Sequence, residues 1–513
     1  MINDLASDVA QSGIKYAFGI PGSGSSLQLT DQLLENQVQF ITTHFEGSAA
    51  LMAGTIGRLS DQPGLVLSIK GPGFTNMIPG LTVCSLENFP VVAAIEAYTD
   101  DTPTSVAHKR MNHSAIGKEL IKTFSRISTT KSTFSDCAAC SLAETPGPVV
   151  LELIEEGNTA NEFPVSHFEN CSISSDLLKA LDRATKPIII AGSFAKRSKL
   201  ANYLEDLKIP IFSTVSAKGL ISETGPYAAG IYTGVGLSDT LECQILSKAD
   251  LVIGIGLRNN EVLAARPFSN QAFNIDYPLL DLHTGFEFAE TVSLQNFSEI
   301  FERLCSFEWG HSIIDETALQ MQSHLQTSEF LPFHVYRAIR HKFNHKVRLV
   351  VDTGLFCTIA EHAWTSETPN DFLCAGNSRY MGTGLPMGIA SSLHDREFPT
   401  VVALGDGGIG MYVAEAKIAS QYELPLLILL LSDQGFGSIR KNAITQNLNT
   451  GPLLMDNPSW IRTFESFNIP AIQVTNEDEF SQAISNWVPN TGPLFIECVF
   501  DPNIYMEMAD KLR

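Results

Sequence analysis

One rhythm constrains this chain more than any other feature. Short β-branched runs end at glycine or turn residues, and each is followed by a stretch with helical spacing. Tyr16–Ile20, Phe40–Thr43, Leu65–Ile69, Pro90–Ile95 and Pro148–Leu153 set the pattern in the first third. Pro187–Ala191, Pro210–Thr214 and Leu251–Ile255 continue it in the middle. Val347–Val351, Thr400–Leu404, Pro425–Leu431 and Pro493–Val499 repeat it in the last third. Apolar runs of strand length alternating with helices predict parallel sheets buried on both faces. A chain of 513 residues exceeds one hydrophobic core, and about 100–200 residues per domain predicts roughly three. The polar stretch Glu155–Glu169 and the polar helical stretch Asp315–Phe330 mark the seams. The expected architecture is α/β, with three domains at 1–165, 166–328 and 329–513, each a mainly parallel sheet flanked by helices.

Composition removes several functions. The net charge is −22 and no basic run interrupts it, which argues against nucleic acid and anionic membrane surfaces as partners. No apolar run approaches membrane-spanning length, and Met1-Ile2-Asn3-Asp4 opens directly into amphipathic pattern rather than a signal sequence. Nine thinly spread cysteines read as reduced thiols, and Cys137-Ala-Ala-Cys140 lacks the second ligand pair of a zinc site. The expectation is a cytoplasmic enzyme acting on small molecules.

The chemistry concentrates at Gly405-Asp406-Gly407-Gly408, directly after an apolar strand. A glycine-rich turn into a helix lets backbone N–H groups approach a phosphate. The next apolar strand ends at Ser432-Asp433-Gln434-Gly435, so Asp406 and Asp433 return to one edge of the sheet, where open α/β sheets bind ligands. Two carboxylates, a backbone carbonyl and a diphosphate would complete an oxygen shell for Mg²⁺. This spacing resembles the thiamine-diphosphate (ThDP) motif of the 2-oxo-acid decarboxylase and carboligase family, in its acetolactate synthase-like branch. That family usually ends the motif in Asn-Asn, where this chain has Ser432-Asp433. The resemblance implies ThDP and Mg²⁺ as cofactors, with metal contacts from Asp406, Asp433 and the Gly435 carbonyl, and cofactor contacts from Gly407 and Gly408.

The first third carries matching segments: Phe18–Gly22, Thr42–Ala50 and Gly71-Pro72-Gly73-Phe74-Thr75-Asn76 resemble the family's pyrimidine domain. The resemblance places Glu46 on the cofactor-activating glutamate, whose carboxyl group favours the imino tautomer of the aminopyrimidine. Ser378–Pro386 resembles the segment on which the cofactor bends, with Met381 beneath the thiazolium and the Arg379 carbonyl facing the pyrimidine amino group. Asp352-Thr353-Gly354-Leu355 follows another strand and is expected to contact the diphosphate through Gly354 and Leu355. Lys186-Pro187, Ser213–Gly219 and Asp250–Gly256 resemble the family's central domain, which leaves FAD open without favouring it. Because family sites form between subunits, the resemblance implies at least a homodimer, with a tetramer within reach.

The family reaction decarboxylates a 2-oxo acid on the electron-accepting thiazolium. Met381 and the Gly-Pro-Gly-x-Thr-Asn stretch point to a pyruvate-like donor and transfer of its acyl unit to an acceptor aldehyde or ketone. A plain decarboxylase releasing an aldehyde is the alternative, and a catalytically idle paralogue stands behind it. Candidate substrate-handling residues are His44, Lys70, Asn112, His113 and Arg440. Lys70 offers a cation to an anionic substrate group, and His113 a proton-transfer group near neutral pH. A nicotinamide or flavin oxidoreductase would need GxGxxG with a downstream acidic partner, which the early strands lack.

Overall fold

Each third of the chain builds its own six-stranded parallel sheet in the computed structural model, which describes residues 2–126, 133–154, 173–235, 240–277, 283–286, 288–290, 294–510 and 512. The first sheet comprises β1 (Tyr16–Gly19), β2 (Gln39–Thr42), β3 (Gly64–Ser68), β4 (Val91–Glu96), β5 (Phe124–Arg126) and β6 (Pro148–Leu153), in the order β2-β1-β3-β4-β6-β5. The second contains β7 (Pro187–Ala191), β8 (Ile211–Ser213), β9 (Ala228–Ile231), β10 (Leu251–Ile255), β11 (Gln271–Ile275) and β12 (Phe288–Glu290), in the order β12-β11-β10-β7-β8-β9. The third contains β13 (Arg348–Val351), β14 (Phe372–Cys374), β15 (Thr400–Leu404), β16 (Leu426–Ser432), β17 (Ala471–Val474) and β18 (Leu494–Val499), in the order β14-β13-β15-β16-β18-β17. Every strand pair is parallel, so every connection crosses over through helix or loop and leaves the glycine turns at the carboxyl edge.

The first and third sheets share one strand order and one core. The helix Glu46–Leu59 lies almost wholly buried between them, packing its Ala49–Ala53 run against Leu385, Met387, Ile389 and Ala390. Glycines make its approach to the helix Pro72–Leu86 close: a Cβ on Gly80 would lie 2.1 Å from the Gly47 carbonyl oxygen. Such glycines cost about 1 kcal/mol each in helix propensity, which packing of this depth offsets.

The seam expected at 165/166, with the polar stretch Glu155–Glu169, lies outside the described residues. The 328/329 seam falls between the helices His311–Leu325 and Pro332–Lys342. The first of these starts earlier and stops sooner than the polar pattern of Asp315–Phe330 suggested. It begins after Gly310 at φ +92° and buries Ile314, Thr317 and Leu325, so it is a packed element as well as a connector. No helix among the described residues is long and apolar enough to cross a membrane. Cys137 and Cys140 lie in the helix Thr133–Leu142, and burial pushes the Cys137 thiol up to about 12, away from the reactive thiolate.

Candidate active site

At the carboxyl edge of the third sheet, three turns converge after β13, β15 and β16. Only glycine fits where they touch: a Cβ on Gly405 or Gly354 would strike the Phe356 ring, and one on Gly407 would lie 2.4 Å from the Phe436 ring and 2.8 Å from the Met381 methyl. A Cβ on Gly408 would fall 2.1 Å from Asp352 Oδ2. Met381 therefore lies over Gly407, and Gly354 and Leu355 open the helix Leu355–Ala363 beside the same turns.

Asp406 is the organising carboxylate. Its Oδ1 accepts hydrogen bonds from Ser432 Oγ (2.9 Å) and Asn457 Nδ2 (2.8 Å). Its Oδ2 accepts from the backbone N–H groups of Asp433 (3.0 Å) and Gln434 (2.9 Å). Gln434 stands at φ +61°, which turns the chain so that consecutive amides face one carboxylate. Burial raises the Asp406 carboxyl, with these hydrogen bonds opposing the rise. Burial and then the Asp406 charge push Asp433 up to about 7. Two buried carboxylates side by side fit a divalent ion, and the glycine cradle beside them fits a diphosphate. Asn457 was missed in the sequence, because nothing in a loop fifty-one residues from Asp406 marks it.

Arg379 occupies φ +50°, the left-handed region that favours glycine. Its guanidinium is bound by the fully buried Glu361. Asp352, also fully buried, accepts from the N–H groups of Thr353 (2.7 Å) and Gly382 (3.0 Å), and burial pushes its carboxyl up to about 7.

In the first domain, Glu46 opens its helix directly after β2 and is 7 % exposed. Asn76 Nδ2 donates to its Oε2 at 3.1 Å, and Gly73 leaves room beside Oε1. Glu415, on the third domain, clamps this turn: its carboxylate accepts from His44 N–H (3.1 Å), His44 Nδ1 (3.2 Å) and Ser48 Oγ. Phe45 stacks on Tyr412 at 5.9 Å. His44 is thus tied to the third domain by Glu415, and Glu415 is a second residue the sequence did not announce.

Three of the substrate-handling candidates have protein partners of their own. His113 is not a free proton shuttle: it is 4 % exposed, its Nε2 accepts from Gly71 N–H (3.1 Å), and its Nδ1 donates to Glu152 (2.9 Å). Asn112 caps the helix His113–Gly117 through Oδ1, which accepts from Ala115 N–H at 3.0 Å. Lys70 is no unanswered cation, because its ammonium sits 2.8 Å from Glu96 and over the Tyr98 ring. Against the upward push of burial, hydrogen bonds from Lys70 and Ser26 hold Glu96 below the ordinary range. These residues still line one cavity of about 590 Å³, with Tyr98, Arg110 and Phe124. Arg440 lies in the helix Gly437–Thr445 after the metal-type loop, where its charge lowers Asp433 against the larger effect of burial.

The chain matches the thiamine pyrophosphate enzyme N-terminal TPP-binding domain over residues 3–116, the central domain over 174–279 and the C-terminal TPP-binding domain over 352–498. It belongs to the thiamine pyrophosphate enzyme family. Among its relatives, a probable acetolactate synthase large subunit of Methanocaldococcus jannaschii is 23% identical, over 96% of this chain and 90% of the relative. The acetolactate synthase isozyme 3 large subunit of Escherichia coli is 23% identical, over 95% and 92%. A probable 2-ketoarginine decarboxylase of Pseudomonas aeruginosa is 24% identical, over 95% and 92%. The family membership assigns ThDP as the cofactor class, and the three sheets correspond to its three domains.

Proposed function

We propose that this chain decarboxylates a pyruvate-like 2-oxo acid with ThDP and Mg²⁺ and joins the retained acyl unit to an acceptor aldehyde or ketone. The observation that carries the reading is the buried Asp406–Asp433 carboxylate pair at a three-turn glycine cradle, which matches a metal–diphosphate head group in charge and shape.

Asp406, Asp433 and the Gly435 carbonyl would hold the metal. Gly407, Gly408 and the turn at Gly354 and Leu355 would receive the diphosphate. When bound, ThDP supplies a thiazolium that accepts the electron pair as CO₂ leaves. Glu46, oriented by Asn76, would hold a proton against the aminopyrimidine ring, and its burial would keep water from that contact. Met381, over Gly407, and the Arg379 carbonyl would hold the cofactor between the two domains' turns. Lys70, Asn112 and His113 act through the cavity wall: Lys70 brings its ammonium there against Glu96, Asn112 caps the helix His113–Gly117, and His113 fixes the Gly71 turn. Glu46 and Asp406 of different copies form each site, so the working unit is a homo-oligomer, at least a dimer.

Plain decarboxylation with aldehyde release is the second reading, favoured by the 2-ketoarginine decarboxylase standing at the same level of identity as the synthases. Isotope-labelled pyruvate, ThDP and Mg²⁺, with and without a panel of acceptor carbonyls, separates the two by NMR. A new labelled carbon–carbon bond is the expected result. Acetaldehyde alone selects the second reading, and release of neither product from any 2-oxo acid in a wider panel overturns both.

A further inference from the structure

The middle sheet has the order β9-β8-β7-β10-β11-β12, which is the 3-2-1-4-5-6 order of dinucleotide-binding sheets. Ligands of such sheets lie outside the carboxyl ends of the first and fourth strands, where the connections diverge. FAD would place its diphosphate there, beside the turns after β7 and β10.

Those turns are closed on each other. A Cβ on Gly192 would lie 2.1 Å from the Gly256 carbonyl oxygen, and one on Gly256 would lie 2.2 Å from Phe194 Cβ. Glu261, 4 % exposed, reaches across the gap from the loop after β10. Its carboxylate accepts from Ser193 N–H (2.8 Å), Thr214 Oγ1 (2.9 Å) and Ser193 Oγ. A phosphate at this edge would need the same donors and would meet an anion already holding them. FAD does not fit.

The crevice has a different occupant. Glu144, which follows the helix Thr133–Leu142 of the first domain, enters it between two arginines. It binds Arg197 Nε at 2.8 Å and Arg258 Nη2 at 2.9 Å. Arg258 is held by the fully buried Asp276 through Nε (2.8 Å) and Nη2 (2.9 Å), while Arg197 Nη1 donates to Ser193 Oγ at 2.7 Å. The network thus runs from Glu261 through Ser193 and Arg197 to Glu144, and on through Arg258 to Asp276.

We infer that the dinucleotide crevice of the central domain is a docking socket for the first domain, with Glu144 as its plug and Glu261 as the resident anion, and that it takes neither flavin nor adenine nucleotide. The purified chain is incubated with excess FAD or ADP, desalted, and assayed for flavin absorbance and for ADP heat by calorimetry, with ThDP and Mg²⁺ titrated into the same preparation. No retained flavin and no ADP heat are expected. Stoichiometric uptake of either overturns the inference, and because ThDP binding is scored separately, that result leaves the proposed reaction standing. Glu144→Gln, with the thermal midpoint and hydrogen exchange at the Ser193 amide as readouts, tests the docking role. A lower midpoint and faster exchange are expected, with ThDP affinity unchanged; wild-type values for both refute it.

Discussion

At Arg379 two effects oppose each other and their sizes decide the outcome. Its left-handed backbone costs about 1–2 kcal/mol relative to glycine. Its guanidinium, however, answers Glu361, which is fully buried, and removing one partner of such a pair costs about 3–5 kcal/mol. Arg379→Gly should therefore lose about 2 kcal/mol in denaturant unfolding, although it restores the residue the backbone prefers. A stabilised variant would show that Glu361 finds another partner. Asp352 gives a pH prediction. Its carboxyl titrates near 3.8 when unfolded and at about 7 when folded, so the folded state keeps the proton longer. The stability this group contributes is full below the unfolded value and is lost as pH rises through about 7, amounting to about 4 kcal/mol in all. Metal- and cofactor-free wild type should lose thermal midpoint between about pH 4 and pH 7, and Asp352→Asn should flatten that decline. Parallel pH profiles for the two proteins would rule Asp352 out as the source.

Among elements, the helix Glu46–Leu59 couples packing to chemistry. Gly80→Ala would gain about 1 kcal/mol of helix propensity. The added Cβ would strike the Gly47 carbonyl, one residue from Glu46, and such overpacking costs about 1–3 kcal/mol. Net destabilisation with reduced turnover at saturating ThDP is the expected outcome; a more stable, fully active variant would mean the helices separate freely. The buried strands were legible because β3, β7, β10, β15 and β16 are continuous apolar runs bounded by glycine or proline. β11 was not, because Asn274 interrupts it, and only the fold shows that this side chain pairs with both backbone groups of Leu257. β5, β14 and β17 are short strands at sheet edges with little pattern to read. The helix that follows the glycine-rich turn is broken into Asp406–Ile409, the 3₁₀ turn Val413–Glu415 and Ala416–Gln421. The break turns Tyr412 onto Phe45 and Glu415 toward His44 and Ser48, so a contact between domains overrides local helical spacing. The same blindness to distant contacts left His113 and Lys70 looking free in sequence, since Glu152 and Glu96 come from other strands.

At the scale of the whole molecule, the first and third sheets repeat one strand order, each with a glycine turn and an acidic residue at its carboxyl edge. Glu46 stands at one edge and Asp406 at the other, and within a chain the Glu46 helix packs against the helix Gly384–His394 of the third domain through the Ala49–Leu385 core. Two such edges in every chain allow two equivalent sites per pair of copies, each taking Glu46 from one copy and Asp406 from the other. Mixing two inactive variants separates this arrangement from a site built within one chain. In a mixed dimer of Glu46→Gln and Asp406→Ala, shared sites place both lesions in one site and leave the other intact. Sites within one chain would each carry a lesion. Co-refolding the two variants should therefore restore activity, to about a quarter of wild type if copies re-pair at random. Absence of recovery in mixed dimers shown to have formed would place Glu46 and Asp406 in the same chain's site.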